Sequence, residues 1–66
     1  MKIWVNGEER DIADGLSVTE LVEMLGHGQR RIAVEINLEI VPRSSYSSHT
    51  LQADDRIEIV QAIGGG

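Results

Sequence analysis

Ser17-Val18-Thr19-Glu20 begins the only stretch of this chain with a helical hydrophobic period, and that constrains the fold more than any other feature. The Ser17 hydroxyl can accept from the Glu20 N–H while the Glu20 carboxylate reaches back to the Ser17 N–H, a capping box. Val18, Leu21, Val22 and Leu25 then fall at i, i+3, i+4 and i+7, forming one apolar stripe. Thr19, Glu20 and Glu23 are expected to face solvent. Gly26 stands where a left-handed residue ends a helix, and Gly28 follows. A helix this short is not stable alone, so the rest of the chain must cover its stripe.

The remaining segments alternate with a period of two. Ile3 and Val5 point one way, Lys2, Trp4 and Asn6 the other. Asn6-Gly7 signals a hairpin, because both central positions of a type I′ turn need positive φ. The return strand runs from about Glu8 to Ile12, with Ile12 in the core. After the helix, Ile32, Val34 and Ile36 point inward, Ala33 and Glu35 outward. Ile40-Val41 is a short apolar patch that Pro42 ends by removing a ladder donor. Ser44 to Ser48 reads as a polar turn region and Leu51 returns to the core. Asp54-Asp55 turns the chain into a last strand, Arg56 to Ile63, with Ile57 and Ile59 inward.

The order is hairpin, helix, two short strands, turn, final strand. It predicts an α+β fold: a mixed sheet with one main helix packed on one face, the β-grasp arrangement of ubiquitin-like domains. The last strand would lie beside the first and parallel to it, with the helix in the crossover. Residues 1–63 are expected to form a single β-grasp domain, and residues 64–66 a flexible C-terminal glycine tail.

Composition excludes several function classes. With 66 residues the chain is one domain, and it buries only about 60% of its unfolded surface. It has no cysteine, hence no disulfide framework and no thiolate metal site. The formal net charge of −5 and the scattered Lys2, Arg10, Arg30, Arg31, Arg43 and Arg56 argue against nucleic acid. An acidic surface favours protein partners with a basic docking face. No apolar run approaches the ~20 residues that span a bilayer, and the N-terminus lacks a signal-peptide core. No membrane association and a cytoplasmic location are therefore expected.

The residues that commonly do chemistry are not arranged to do it. His27 and His49 have neither ligand spacing nor cysteine support, so no metal site is expected. The serine cluster lacks a nucleophile elbow. Gly26-His27-Gly28 is too short for a phosphate loop and reads as a helix cap. Glu8-Glu9 and Asp54-Asp55 are adjacent in sequence, which puts strand residues on opposite faces and turn residues in water. No enzyme active site is expected and no bound cofactor.

Two features remain. Trp4 lies on the face opposite Ile3 and Val5. It is either an interface anchor, with Val60 and Ala62 as further docking residues, or a cover over a neighbouring strand. The second feature is the end, Gly64-Gly65-Gly66. It is either a frayed terminus or linker, or a thin thread that places an activatable carboxylate inside another protein. Three glycines give roughly 10 Å of reach without side chains. The Gly66 carboxylate is ionised at neutral pH and is a competent nucleophile toward the α-phosphate of ATP.

Along nearly its whole length the sequence resembles the ThiS family of sulfur carriers in thiamin thiazole biosynthesis. The resemblance rests on Ile3 through Gly7, Ser17-Val18 with Leu21, Ala33 through Asn37, and Ile40-Val41-Pro42-Arg43. It continues through Tyr46 and Leu51 to Asp55, Ile57 through Val60, and the terminal glycines. One departure is Asp54-Asp55, where the family often has Gly-Asp; Asp tolerates left-handed backbone better than most residues. The resemblance implies a protein cosubstrate and not an enzyme. A ThiF-like adenylyltransferase would use ATP to adenylate Gly66. A cysteine desulfurase-linked donor would supply sulfur to form a thiocarboxylate, and thiazole synthase would take that sulfur. Gly64 and Gly65 would thread the partner sites. Alternatives are the small subunit of molybdopterin synthase, a carrier for cysteine synthesis, a ubiquitin-like modifier, and an interaction domain with an inert tail.

Overall fold

A computed structural model describes residues 1–28 and 30–61. Strands β1 (Lys2–Val5) and β2 (Glu8–Asp11) form the opening hairpin, and helix α1 (Val18–Met24) follows. Then come β3 (Ile32–Ile36), β4 (Glu39–Val41), a 3₁₀ turn at Arg43–Ser45, and β5 (Arg56–Gln61). The strands make one five-stranded sheet in the order β2-β1-β5-β3-β4. β5 sits at its centre, parallel to β1 and antiparallel to β3. This is the mixed sheet with one helix that the alternation predicts. Ile63, expected in the last strand, lies outside the described residues, and Ile12 falls one residue beyond β2 but is buried.

The helix is held by its ends as much as by its stripe. Both capping-box bonds form: Glu20 N–H donates to Ser17 Oγ at 3.1 Å, and Ser17 N–H to Glu20 Oε1 at 3.0 Å. The next free donors go to the loop before β5, Val18 N–H to the His49 carbonyl and Thr19 N–H to that of Tyr46. The first-turn N–H groups that a helix leaves without internal partners are thereby satisfied. At the other end Gly26 takes φ 85°. Gly26 N–H donates to Glu23 and His27 N–H to Val22, the paired bonds of a Schellman motif.

Val18 and Leu21 are wholly buried and pack with Ile3, Val34, Leu51 and Ile57. Leu25 is the C-cap residue and packs half-buried at the edge of this core. Three placements differ from the sequence expectation. Thr19 is half-buried, because the 3₁₀ region folds over the helix start. Tyr46, inside the polar serine run, is only 9% exposed and belongs to the core. Asp55, expected in water, is 8% exposed. Its carboxylate is satisfied locally, accepting from Asn37 Nδ2 at 3.0 Å and from the Gln52 N–H at 2.8 Å. Asp54 supplies the turn with φ 68°, the left-handed geometry that aspartate tolerates.

Candidate functional site

Gly64, Gly65, Gly66 and Ala62 lie outside the described residues; the strand that leads to them is described to Gln61. That strand is tied on both sides. Toward β3, pairing runs continuously from Ile36 opposite Ile57 to Ile32 opposite Gln61. Toward β1 the backbone pairing stops at Val5 opposite Ile57, because the chain turns at Asn6-Gly7. The Asn6 side chain carries the ladder further. Its Oδ1 accepts from the Ile59 N–H at 2.9 Å, and its Nδ2 donates to the Ile59 carbonyl at 3.2 Å.

Asn37 braces the other end of β5 in the same way. Its Oδ1 accepts from the Arg56 N–H at 3.0 Å, and its own N–H donates to the Arg56 carbonyl at 2.8 Å. From the sequence, Asn6 reads only as a turn former and Asn37 has no assigned role. The available signal was an asparagine at the first position of each two-residue turn, where positive φ aims a short amide at the neighbouring strand.

The sheet face away from the helix has no covering element among the described residues. Trp4 is half-buried there, aligned with Arg56 across the β1–β5 pair. The Arg56 guanidinium carbon lies 5.5 Å from the ring centroid and Lys2 Nζ 5.7 Å, both within cation–π range. Val60 is 59% exposed and stands opposite Ala33. Val60 is four positions beyond Arg56 on one strand, roughly 13 Å at the rise of a β-strand. The fold therefore places Trp4 and Val60 at opposite ends of this face, and Trp4 borders Arg56 instead. Between them Glu35 stands opposite both Ile40 and Glu58. Like charges in direct cross-strand register repel. Among the described residues the ion pairs are those of the Met1 amine with Asp11 and Asp14, so neither glutamate has one.

The other candidates stay apart. No group of three or more His, Asp and Glu side chains is placed to hold a metal ion among the described residues. His27 carries a buried Nδ1 with no hydrogen-bond partner there, and lines a recess of about 200 Å³ with Thr19, Val22, Arg43 and Tyr46. In the serine cluster, Ser48 Oγ donates to the Ser45 carbonyl, a local turn bond. No helix is long and apolar enough to cross a membrane.

Known proteins share this arrangement. The solved structure of the thiamine biosynthesis protein ThiS from Geobacter metallireducens superposes with a TM-score of 0.87 at 33% identity, covering all of both chains. The sulfur carrier protein ThiS of Escherichia coli is 39% identical over the whole of both chains. A thiazole synthase of Paramagnetospirillum magneticum is 48% identical over all 66 residues, and one of Magnetococcus marinus 42%. This chain spans only one fifth (20%) of the length of either thiazole synthase. The family model for ThiS matches residues 3–66. By fold, by sequence along its length and by that match, the chain belongs to the ThiS family.

Proposed function

We propose that this chain is a sulfur carrier for thiamin thiazole formation, with residues 1–63 as the body and 64–66 as the thread that bears the sulfur at Gly66. The observation that carries the reading is its end-to-end correspondence with the E. coli sulfur carrier ThiS. The geometry supports it: the tail leaves a central strand fixed by β3 on one side and by β1 and Asn6 on the other. A rigid base lowers the entropy that a threaded tail must lose when it enters a partner's site.

The chemistry belongs to the partners, and the chain acts as cosubstrate. A Gly66 carboxylate oxygen attacks the α-phosphorus of ATP in a ThiF-like adenylyltransferase; pyrophosphate leaves and an acyl-adenylate forms. A persulfide on a cysteine desulfurase-linked donor attacks the acyl carbon and AMP leaves; a thiol then reduces the resulting acyl disulfide, giving the thiocarboxylate and a disulfide on the donor. Thiazole synthase consumes that sulfur. Its place as consumer is supported by two proteins of that name that contain a segment like this whole chain. Gly64 and Gly65 pass through the narrow approach to each site. The ATP dependence of the first step suits the cytoplasm.

The test is intact mass. Incubation with the adenylyltransferase, ATP and the sulfur donor should replace one C-terminal oxygen by sulfur, and thiazole synthase with its substrates should reverse the change. An unchanged mass sinks the carrier reading. Isopeptide-linked products would assign the chain to protein modification instead. A single residue added after Gly66 should abolish sulfur loading.

A further inference from the structure

Among the described residues are two hairpin turns of the same backbone type, filled differently. Val5 opposite Glu8 closes the first over Asn6-Gly7, and Ile36 opposite Glu39 closes the second over Asn37-Leu38. All four turn residues have positive φ: 50° and 83° in the first, 52° and 71° in the second. These are type I′ turns, whose second position suits glycine. The first turn has glycine there. The second has leucine, in a backbone region that crowds Cβ against the following carbonyl oxygen.

Leu38 gains nothing from the core in return. It is 86% exposed, and Ile40, two residues on, is 73% exposed. Strained positions persist where the surroundings fix them, and they concentrate where function uses them. Asn37 fixes this one by donating to buried Asp55 and accepting from the Arg56 N–H. Around the exposed aliphatics stand Glu39 in sequence, Glu35 and Glu58 across the sheet, and Arg56, whose backbone bonds to Asn37. None of these carboxylates has an ion-pair partner among the described residues. The hairpin is thus an apolar projection whose surround, three carboxylates to one guanidinium, is net acidic. Its complement is an apolar recess rimmed by arginine or lysine.

We propose that Leu38, together with Ile40, is a docking anchor that seats in such a recess on thiazole synthase; this rests on the sulfur-carrier reading above. One observation selects that partner, and a second fits the anchor to the tail. Proteins named thiazole synthase include a segment like the whole of this chain, which holds carrier-like and synthase parts at high effective concentration. The hairpin also lies at the end of the sheet remote from the tail. Ile36 pairs with Ile57, while Gln61 pairs with Ile32, roughly 13 Å further along. An anchor there holds the body and leaves the tail free to enter the active site.

The anchor and a merely structural leucine differ in sign. Leu38→Gly relaxes the turn and deletes the side chain, so the thermal midpoint should rise while affinity for purified thiazole synthase falls about tenfold or more. Leu38→Asn, which also tolerates this backbone, should lose affinity equally. Binding of the parent chain should weaken as salt is raised. The proposal is overturned if Leu38→Gly leaves affinity unchanged, if it lowers the midpoint, or if sedimentation shows that Leu38 mediates self-association instead. Titration uses the chain without sulfur, so it reads docking even if no thiocarboxylate forms; that second failure would count against the carrier function alone.

Discussion

Asn6 closes the first hairpin with its backbone and brackets Ile59 with its side chain, accepting at 2.9 Å and donating at 3.2 Å across 53 residues of sequence. The amide substitutes for the β1 backbone where that strand has turned away. Asn6→Gly keeps positive φ accessible and removes only the bracket. We expect a loss of about 1–2 kcal/mol in urea unfolding, two modest hydrogen bonds. Amide exchange at Ile59 should accelerate. Unchanged exchange there would show that the bracket does not hold β5.

Asp55 is the buried acid among the described residues, joining the Gln52 turn to Asn37. Asp55→Ala leaves the Asn37 amide and the Gln52 N–H without an acceptor. Denaturation should show a loss of about 2–3 kcal/mol, set by the desolvation of those donors. Asp55→Asn should cost less, since one acceptor oxygen survives. Equal stability of both variants and the parent would mean that water replaces the carboxylate.

Gly26 has φ 85°, and a Cβ there would meet nothing within 4 Å. The cost of Gly26→Ala is therefore that of the left-handed backbone alone, about 1 kcal/mol. A much larger loss in thermal unfolding would indicate that the Schellman bonds had broken as well.

Trp4 lies beside Arg56 and near Lys2 on the uncovered face. Trp4→Ala should keep the fold and lose about 1 kcal/mol, the scale of two exposed cation–π contacts. It should also weaken partner binding in titration. If affinity is unchanged, Trp4 serves the sheet alone.

The amino-acid sequence alone determined every element whose cause is local. Ser17 and Glu20 form the capping box because their groups are three residues apart. Gly26 ends the helix because only glycine takes that backbone freely. The inward sets Ile3 and Val5, Val34 and Ile36, and Ile57 and Ile59 follow from strand alternation. The terminal glycines and the residues around Pro42 carried the family resemblance.

Tertiary structure decided what depends on which strands become neighbours. Tyr46 and Asp55 are buried because the loop before β5 folds over the helix start and against Asn37, and no local pattern encodes that contact. The register of β1 with β5 set Trp4 beside Arg56, remote from Val60. Central placement of β5 created the orphan backbone groups of Ile59 that Asn6 satisfies. Leu38 stands at φ 71° and in solvent only because β3 and β4 pair across it. Backbone dihedrals and short-range bonds are written in neighbouring residues, whereas burial and strand partners are settled only when distant segments compete for the same hydrogen bonds and the same core.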